Sequence, residues 1–101
     1  MREIDKLKKM LDDASIPYES NEFTYGAMME PDQICYPKAS LIARRCSIIF
    51  GRGTYGYEDG LLEIMGLLTP EEEEYDSVVG YLSAEEVFER INEDWAEYKE
   101  D

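Results

Sequence analysis

The 101-residue sequence contains no histidine. This absence removes the commonest general base, every Ser-His or Cys-His nucleophile pair and the usual zinc sites. Carboxylates are plentiful, so a catalytic site built from paired acids remains an alternative. However, no calcium-binding loop pattern is present, and a domain of this size offers little room for a deep cleft. We therefore expect a non-enzymatic binding protein that uses no cofactor and no metal.

Cysteines and long apolar runs are also scarce. Cys35 and Cys46 have no CxxC spacing and lie in apolar segments, where reduced cysteines behave as small hydrophobic residues. A disulfide between them is an alternative if their strands are neighbours in the sheet. No apolar run approaches the about 20 residues that span a bilayer, and the N-terminus is charged from Arg2 onwards, without a signal-peptide stretch. We expect a cytoplasmic protein that does not enter a membrane.

Basic residues are nearly missing from the second half of the chain. Residues 1–57 carry eight acidic and eight basic residues, whereas residues 58–101 carry sixteen acids and two bases, Arg90 and Lys99. The whole net charge of −14 therefore arises in the second segment. Because phosphates are bound by Lys and Arg, this half is not expected to contact nucleic acid directly. A basic protein surface is the expected partner.

The order of patterns predicts one α+β domain over residues 1–101. The predicted helices cover residues 2–14, a short stretch from Thr69, and residues 83–101. Between them we expect four to five short, mostly antiparallel strands, one sheet face of which is covered by the two longer helices. The predicted extended segments are residues 16–19, 23–29, 33–36, 46–50, 61–67 and 78–82, with turns at 20–22 and 30–32 and a glycine-rich loop at 51–60. Residues 39–45 fit either one helical turn or an extended approach to the next strand.

The two C-terminal helices have the clearest sequence signals. Thr69 with Glu72, and Ser83 with Glu86, are capping boxes, in which each side chain bonds the backbone N–H of the other residue. In the last helix the apolar side chains share about 100° of arc and are expected to face the core. These are Ala84, Val87, Phe88, Ile91, Trp95 and Tyr98.

Acidic residues occupy the opposite side of the last helix. Residues 83–101 contain eight acids, about one per 3.6 Å of helix axis, close to the 3.4 Å phosphate spacing of one DNA strand. The surface is either a solvated face that keeps the protein soluble, or one that imitates a polyanion and docks on a basic groove. The candidate partner-binding residues are Glu85, Glu86, Glu89, Glu93, Asp94 and Glu97, together with Glu71, Glu72, Glu73 and Glu74. Glu100 and Asp101 extend the same acidic face.

The loop GRGTYGYEDG at residues 51–60 holds four glycines. It lacks the GxxxxGK[ST] order of a phosphate-binding P-loop and precedes no helix, so a long hairpin is one interpretation. The other is a ligand loop in which Arg52 and backbone N–H groups bind an anion while Tyr55 or Tyr57 stacks on a ring. Arg44 and Arg45, upstream on the same strand, are possible contributors, or they pair with some of the many carboxylates.

Four strings, ICYP, CSIIF, YGYEDGLLEIMGLLTPEE and GYLSAEEVFERI, resemble a group of small uncharacterised proteins. These proteins are encoded by phages, prophages and conjugative elements of Gram-positive bacteria, and the resemblance covers roughly residues 46–92. It implies no catalytic residues. It implies a setting, because small accessory genes of mobile elements often encode inhibitors of bacterial defence systems.

Three hypotheses follow for a protein acting in a bacterial host cytoplasm. The first is an inhibitor of a defence effector, such as a CRISPR nuclease, that presents a nucleic-acid-mimicking acidic surface. The second is a sponge that sequesters a small anionic nucleotide signal through the glycine-rich loop and the arginines. The third is a structural or regulatory partner of a phage protein.

Overall fold

The computed structural model describes residues 1–21 and 32–98. They form three α-helices, five strands and one 3₁₀-helix, in an α+β arrangement that confirms the predicted fold class. The elements are α1 (Glu3–Asp13), β1 (Glu19–Asn21), β2 (Asp32–Tyr36), β3 (Cys46–Phe50), the 3₁₀-helix Tyr57–Asp59, β4 (Leu62–Met65), α2 (Pro70–Tyr75), β5 (Val78–Leu82) and α3 (Ala84–Tyr98). The strands make one antiparallel sheet in the order β1-β2-β3-β4-β5.

The core lies between one face of this sheet and the helices α1 and α3. The register pairs Ile34 with Ile48 and Ile48 with Ile64, so three isoleucines stand side by side on that face. The helices cover them with side chains three and four residues apart, the spacing that brings side chains to one side of a helix. The helix residues in this core are Ile4, Leu7, Leu11, Ala84, Val87 and Ile91, all fully buried.

The two C-terminal helices begin as predicted. In α2 the Thr69 hydroxyl accepts from the Glu72 N–H while the Glu72 carboxylate accepts from the Thr69 N–H. Ser83 and Glu86 exchange the same two bonds at the start of α3, at 3.2 and 3.1 Å. Glu3 of α1 also accepts a 2.9 Å bond from the Ala84 N–H, which links the two long helices.

Three predictions are corrected by the structure. Residues 20 and 21 of the predicted turn at 20–22 belong to β1 instead, because pairing with β2 supplies partners for the β1 backbone, and the Asn21 side-chain amide donates to Gln33. β4 ends at Met65, since the next two residues have positive φ angles that no strand can continue. Tyr98, placed in the core stripe by its spacing, is 40% exposed. Cys35 and Cys46 are free and buried.

The register of β2 and β3 explains why the two cysteines cannot pair. Tyr36, not Cys35, lies opposite Cys46. Side chains alternate along a strand, so the two thiols point to opposite sheet faces although their strands are neighbours. Burial raises the pKa of the Cys46 thiol to about 12, which keeps it protonated and unreactive.

Between β2 and β3 the chain makes one helical turn. The Arg44 N–H donates to the Ser40 carbonyl at 2.8 Å, which favours the helical-turn interpretation of residues 39–45 over the extended one. The predicted strand at 23–29, and most of the turn at 30–32, lie outside the described residues, as do Glu100 and Asp101 at the end of the predicted acidic face.

Candidate functional site

The outer face of α3 consists of Glu85, Glu89, Glu93 and Glu97, which recur every fourth residue opposite the buried side. All four side chains are exposed. Within the described part of the chain, no lysine or arginine forms a salt bridge with any of them. Lys6, whose pKa is raised mainly by Glu3, is affected more weakly by Glu85. Among the described residues, this face therefore presents four carboxylates without a salt-bridge partner.

Asp94 was predicted to belong to the same acidic surface, but the structure uses it internally. Its two carboxylate oxygens accept from Arg45 Nε and Nη2 at 2.6 and 2.8 Å, and Oδ2 also accepts from the Tyr36 hydroxyl at 2.7 Å. Burial disfavours the charged form, yet these hydrogen bonds outweigh it and leave the pKa of Asp94 below its ordinary value. Asp94 is thus a bridge between α3 and the sheet, and it is not available to a partner.

Glu72 also has a structural role. Besides capping α2, it forms a two-pronged ion pair with Arg90 of α3, at 2.8 and 2.7 Å, and Arg90 donates to the Leu67 carbonyl at 3.0 Å. This bridge links α2 to α3, and Glu93 and Glu97 line a surface groove of about 410 Å³ together with Arg90 and residues 67–69, which precede α2. Glu71, Glu73 and Glu74 of α2 are exposed, while Glu72 and the capping residue Glu86 are occupied.

The ion pair between Glu72 and Arg90 should make the stability of the protein depend on pH in acid. The guanidinium of Arg90 lowers the pKa of Glu72 from 4.5 to about 2, helped by the Thr69 N–H. Since the folded-state pKa is depressed, the stabilisation is complete above the unfolded value and is lost as the pH falls from 4.5 towards 2. We expect Glu72→Gln, which can still cap the helix, to be less stable than wild type at neutral pH and to approach wild type below pH 3.

Urea unfolding of both proteins at several pH values measures this difference. The matched control is Glu73→Gln, which removes the same charge from the neighbouring exposed position and should change the free energy of unfolding by no more than about 0.5 kcal/mol. A difference between wild type and Glu72→Gln that is the same at pH 3 and pH 7 would contradict the assignment of the ion pair.

The predicted anion-binding arginines are not brought together. Arg45 and Arg52 flank opposite ends of β3, separated by roughly 17 Å of strand at 3.3 Å per residue. Arg45 is bound to Asp94, and its guanidinium lies over the Tyr98 ring at 5.1 Å from the centroid. Arg44 donates to the Cys35 sulfur at 3.5 Å. Carboxylate pairing, the alternative interpretation of the arginines, is therefore correct for Arg45.

The glycine-rich loop forms a second surface feature, here called the loop pocket, of about 460 Å³. Arg52, Tyr55 and Tyr57 do meet there, as expected for a ligand loop. The pocket also includes Glu58 and Asp59 from the 3₁₀-helix and, from β5, Tyr81. Two carboxylates against one guanidinium do not favour a small anion.

Tyr81 is the residue that sequence analysis missed. β5 has a bulge, because Leu62 pairs with Leu82 and Ile64 with Val79, which leaves two residues of β5 opposite Glu63. Tyr81 adopts a φ of 61°, a left-handed conformation that bulky residues rarely accept. Gly80, directly before it, was the only available signal, since glycine within a strand pattern often marks a bulge.

Among residues 1–21 and 32–98, no group of three or more Cys, Asp or Glu side chains could hold a metal ion. Within the same described residues, no helix has the length and apolar character to cross a membrane. Comparison with protein-family models, with curated proteins and with solved structures finds no match to this chain.

Proposed function

We propose that this protein is a non-enzymatic inhibitor that docks an acidic surface on the basic, nucleic-acid-binding surface of a bacterial defence effector. The docking surface consists of exposed acids without structural duties. They are Glu85, Glu89, Glu93 and Glu97 on α3 and Glu71, Glu73 and Glu74 on α2. The observation that carries the proposal is the absence of a salt-bridge partner for the α3 carboxylates in the described part of the chain.

The arrangement costs stability, which argues against a face selected for folding alone. Like charges four residues apart on a helix destabilise it by about 0.2–0.5 kcal/mol per pair. The negative end of the helix dipole adds to the cost near Tyr98, because the last described turn of α3 contains Glu97 and no basic residue. Solubility alone does not require an unbroken line, since the same net charge can be distributed with alternating signs.

The spacing of the carboxylates also matches a polyanion. Successive members of the outer face of α3 are about 6 Å apart along the helix axis, from four residues at 1.5 Å each. Two phosphate steps along one DNA strand cover about 6.8 Å. A groove lined by regularly spaced Lys and Arg can therefore meet every member of the line with little rearrangement of its side chains.

The proposal places the protein in the setting that its sequence resemblance implies, that of a phage or conjugative element. An accessory protein of a phage or conjugative element that is expressed in the host cytoplasm meets nucleases, among them CRISPR nucleases, whose channels are lined with Lys and Arg. Occupying such a channel blocks it without any catalytic group. The nucleotide-sponge hypothesis is less well supported, because Arg44 and Arg45 lie away from Arg52.

The test is affinity capture from a nuclease-treated lysate of a Gram-positive host, with tagged wild-type protein as bait. We expect captured proteins to be released by added double-stranded DNA, because both ligands use one basic surface. Binding should also weaken steeply between low and moderate salt. Reversal of Glu89, Glu93 and Glu97 to Lys should reduce the affinity of the captured partner by at least about 100-fold.

The matched control reverses the same number of charges elsewhere, at Asp12, Asp13 and Glu19, which are exposed and lie outside both the acidic surface and the glycine-rich loop. This control should retain the partner. Capture that is insensitive to DNA and to reversal of the α3 acids would overturn the proposal. A thermal shift with a nucleotide that is lost in Arg52→Ala would favour the sponge instead.

A further inference from the structure

The loop pocket is built by a close fit between residues 51–60 and β5. The Tyr81 N–H donates to the Tyr55 carbonyl at 3.3 Å, and the Tyr55 N–H donates to the carboxylate of Glu63, a buried residue of β4, at 2.8 Å. Gly80 and Gly56 permit this approach. A Cβ on Gly80 would collide with Tyr55, and one on Gly56 would lie 2.8 Å from the Tyr81 nitrogen.

The same fit exposes three tyrosine side chains around one opening. Tyr55 and Tyr81 are 55% and 58% exposed, although both have backbones fixed by hydrogen bonds. Tyr57 is 36% exposed, and its ring packs against Phe50 at 5.2 Å between centroids. Aromatic rings with fixed backbones and free faces form a preorganised surface, which lowers the entropy lost when a ligand binds.

The charges around the opening are complementary to a cation. Glu58 and Asp59 line the pocket, and no described lysine or arginine forms a salt bridge with either of them. The third charged residue of the lining, Arg52, is exposed. Cations bind over tyrosine faces and beside carboxylates, whereas an anion would meet two negative charges.

The chain already binds an arginine in this way elsewhere. Arg45 meets the Asp94 carboxylate through two hydrogen bonds and lies over the Tyr98 ring at 5.1 Å. A guanidinium is suited to such an environment because it is planar, stacks on aromatic rings and donates in pairs to carboxylates, whereas an ammonium does none of these as well. The loop pocket offers the same groups, a carboxylate pair and tyrosine rings, and no Lys or Arg of the described residues forms a salt bridge with that pair.

We propose that the loop pocket binds an arginine side chain of a protein partner. Tyr55, Tyr57 and Tyr81 supply the ring faces, and Glu58 and Asp59 supply the paired acceptors. The positive φ of Tyr81 fits this role. Glycine or asparagine would occupy this backbone position with less strain, yet the bulge holds an aromatic ring there, on the surface. The site uses none of the acids on α2 and α3, so it stands independently of the proposed docking surface.

The test is a titration of the ¹⁵N-labelled full chain with N-acetyl-arginine methylamide, followed by amide chemical shifts. We expect saturable shifts at residues 54–59 and 80–82. The citrulline analogue, which has nearly the same shape but no charge, should bind at least about tenfold more weakly. Shifts confined to α3, or equal binding of citrulline, would overturn the inference. Stronger shifts of the pocket with inorganic phosphate than with arginine would also overturn it, in favour of an anion site.

Two variants separate loss of the site from loss of the fold. Tyr81→Gly removes the ring and suits the left-handed backbone, so the protein should remain folded while the arginine probe loses at least about tenfold in affinity. Tyr75→Ala removes another exposed tyrosine, at the end of α2, and should leave the titration unchanged. Reversal of Glu89, Glu93 and Glu97 to Lys should also leave it unchanged, so failure of the acidic docking surface and failure of this site are distinguishable.

Discussion

Replacing Asp94 by alanine is expected to destabilise the protein by roughly 2–4 kcal/mol. The substitution leaves the hydroxyl of the fully buried Tyr36 without its acceptor, at a cost of about 1–3 kcal/mol. It also removes the two-pronged bond to Arg45, whose side chain is 41% exposed, so solvent screening limits this contribution to about 1 kcal/mol. Urea unfolding at neutral pH measures the sum.

A double-mutant cycle with Tyr36→Phe tests the mechanism. Phenylalanine removes the buried hydroxyl but leaves the Asp94–Arg45 pair, so the single variant should lose only about 1 kcal/mol. In the double variant no hydroxyl is left without an acceptor, and the total loss should be smaller than the sum of the two single losses by about 1 kcal/mol or more. Additive losses, or an Asp94→Ala variant within about 0.5 kcal/mol of wild type, would show that Asp94 is only a surface acid.

Asp94 illustrates which parts of the site the sequence could predict. Local signals were sufficient for the helices, because capping boxes and the three-to-four spacing of apolar residues act within a few positions of the chain. They also identified the acidic side of α3. They could not show that one acid of that side meets Tyr36 and Arg45, which lie 58 and 49 residues away along the chain. Such a contact depends on the sheet register and on how α3 crosses it.

The loop pocket was predictable to a similar extent. The glycines of residues 51–60 predict a loop, and one of its two interpretations is a ligand loop in which Tyr55 or Tyr57 stacks on a ring of the ligand. The bulge in β5 was not foreseen, because the residue that takes the left-handed backbone is a tyrosine, against its own preference. Tyr55, which packs on Gly80, lies 25 residues before it along the chain, so Gly80 itself is the one local signal of that conformation.

Neutralising the outer face of α3 is expected to make the protein more stable. The triple substitution changes Glu89, Glu93 and Glu97 to Gln and removes three pairs of like charges that lie four residues apart. These pairs are Glu85–Glu89, Glu89–Glu93 and Glu93–Glu97. At about 0.2–0.5 kcal/mol per pair the gain is roughly 1 kcal/mol, or about 4–8 °C in melting temperature. Since the side chains keep their length and are exposed, no packing is lost. The gain should shrink in 1 M salt, where the screening length falls to about 3 Å.

The same substitution should weaken binding of the captured partner by at least about tenfold, so stability and affinity change in opposite directions. The control, in which Asp12 and Asp13 become Asn and Glu19 becomes Gln, removes three charges without touching the line on α3 or the loop pocket. It should leave the partner bound and raise the melting temperature less, because Asp13 loses its ion pair with Lys9. If the α3 variant gained stability and kept its partner, the carboxylates would serve solubility alone, because a surface that costs folding energy and contacts nothing has no other physical reason to stay acidic.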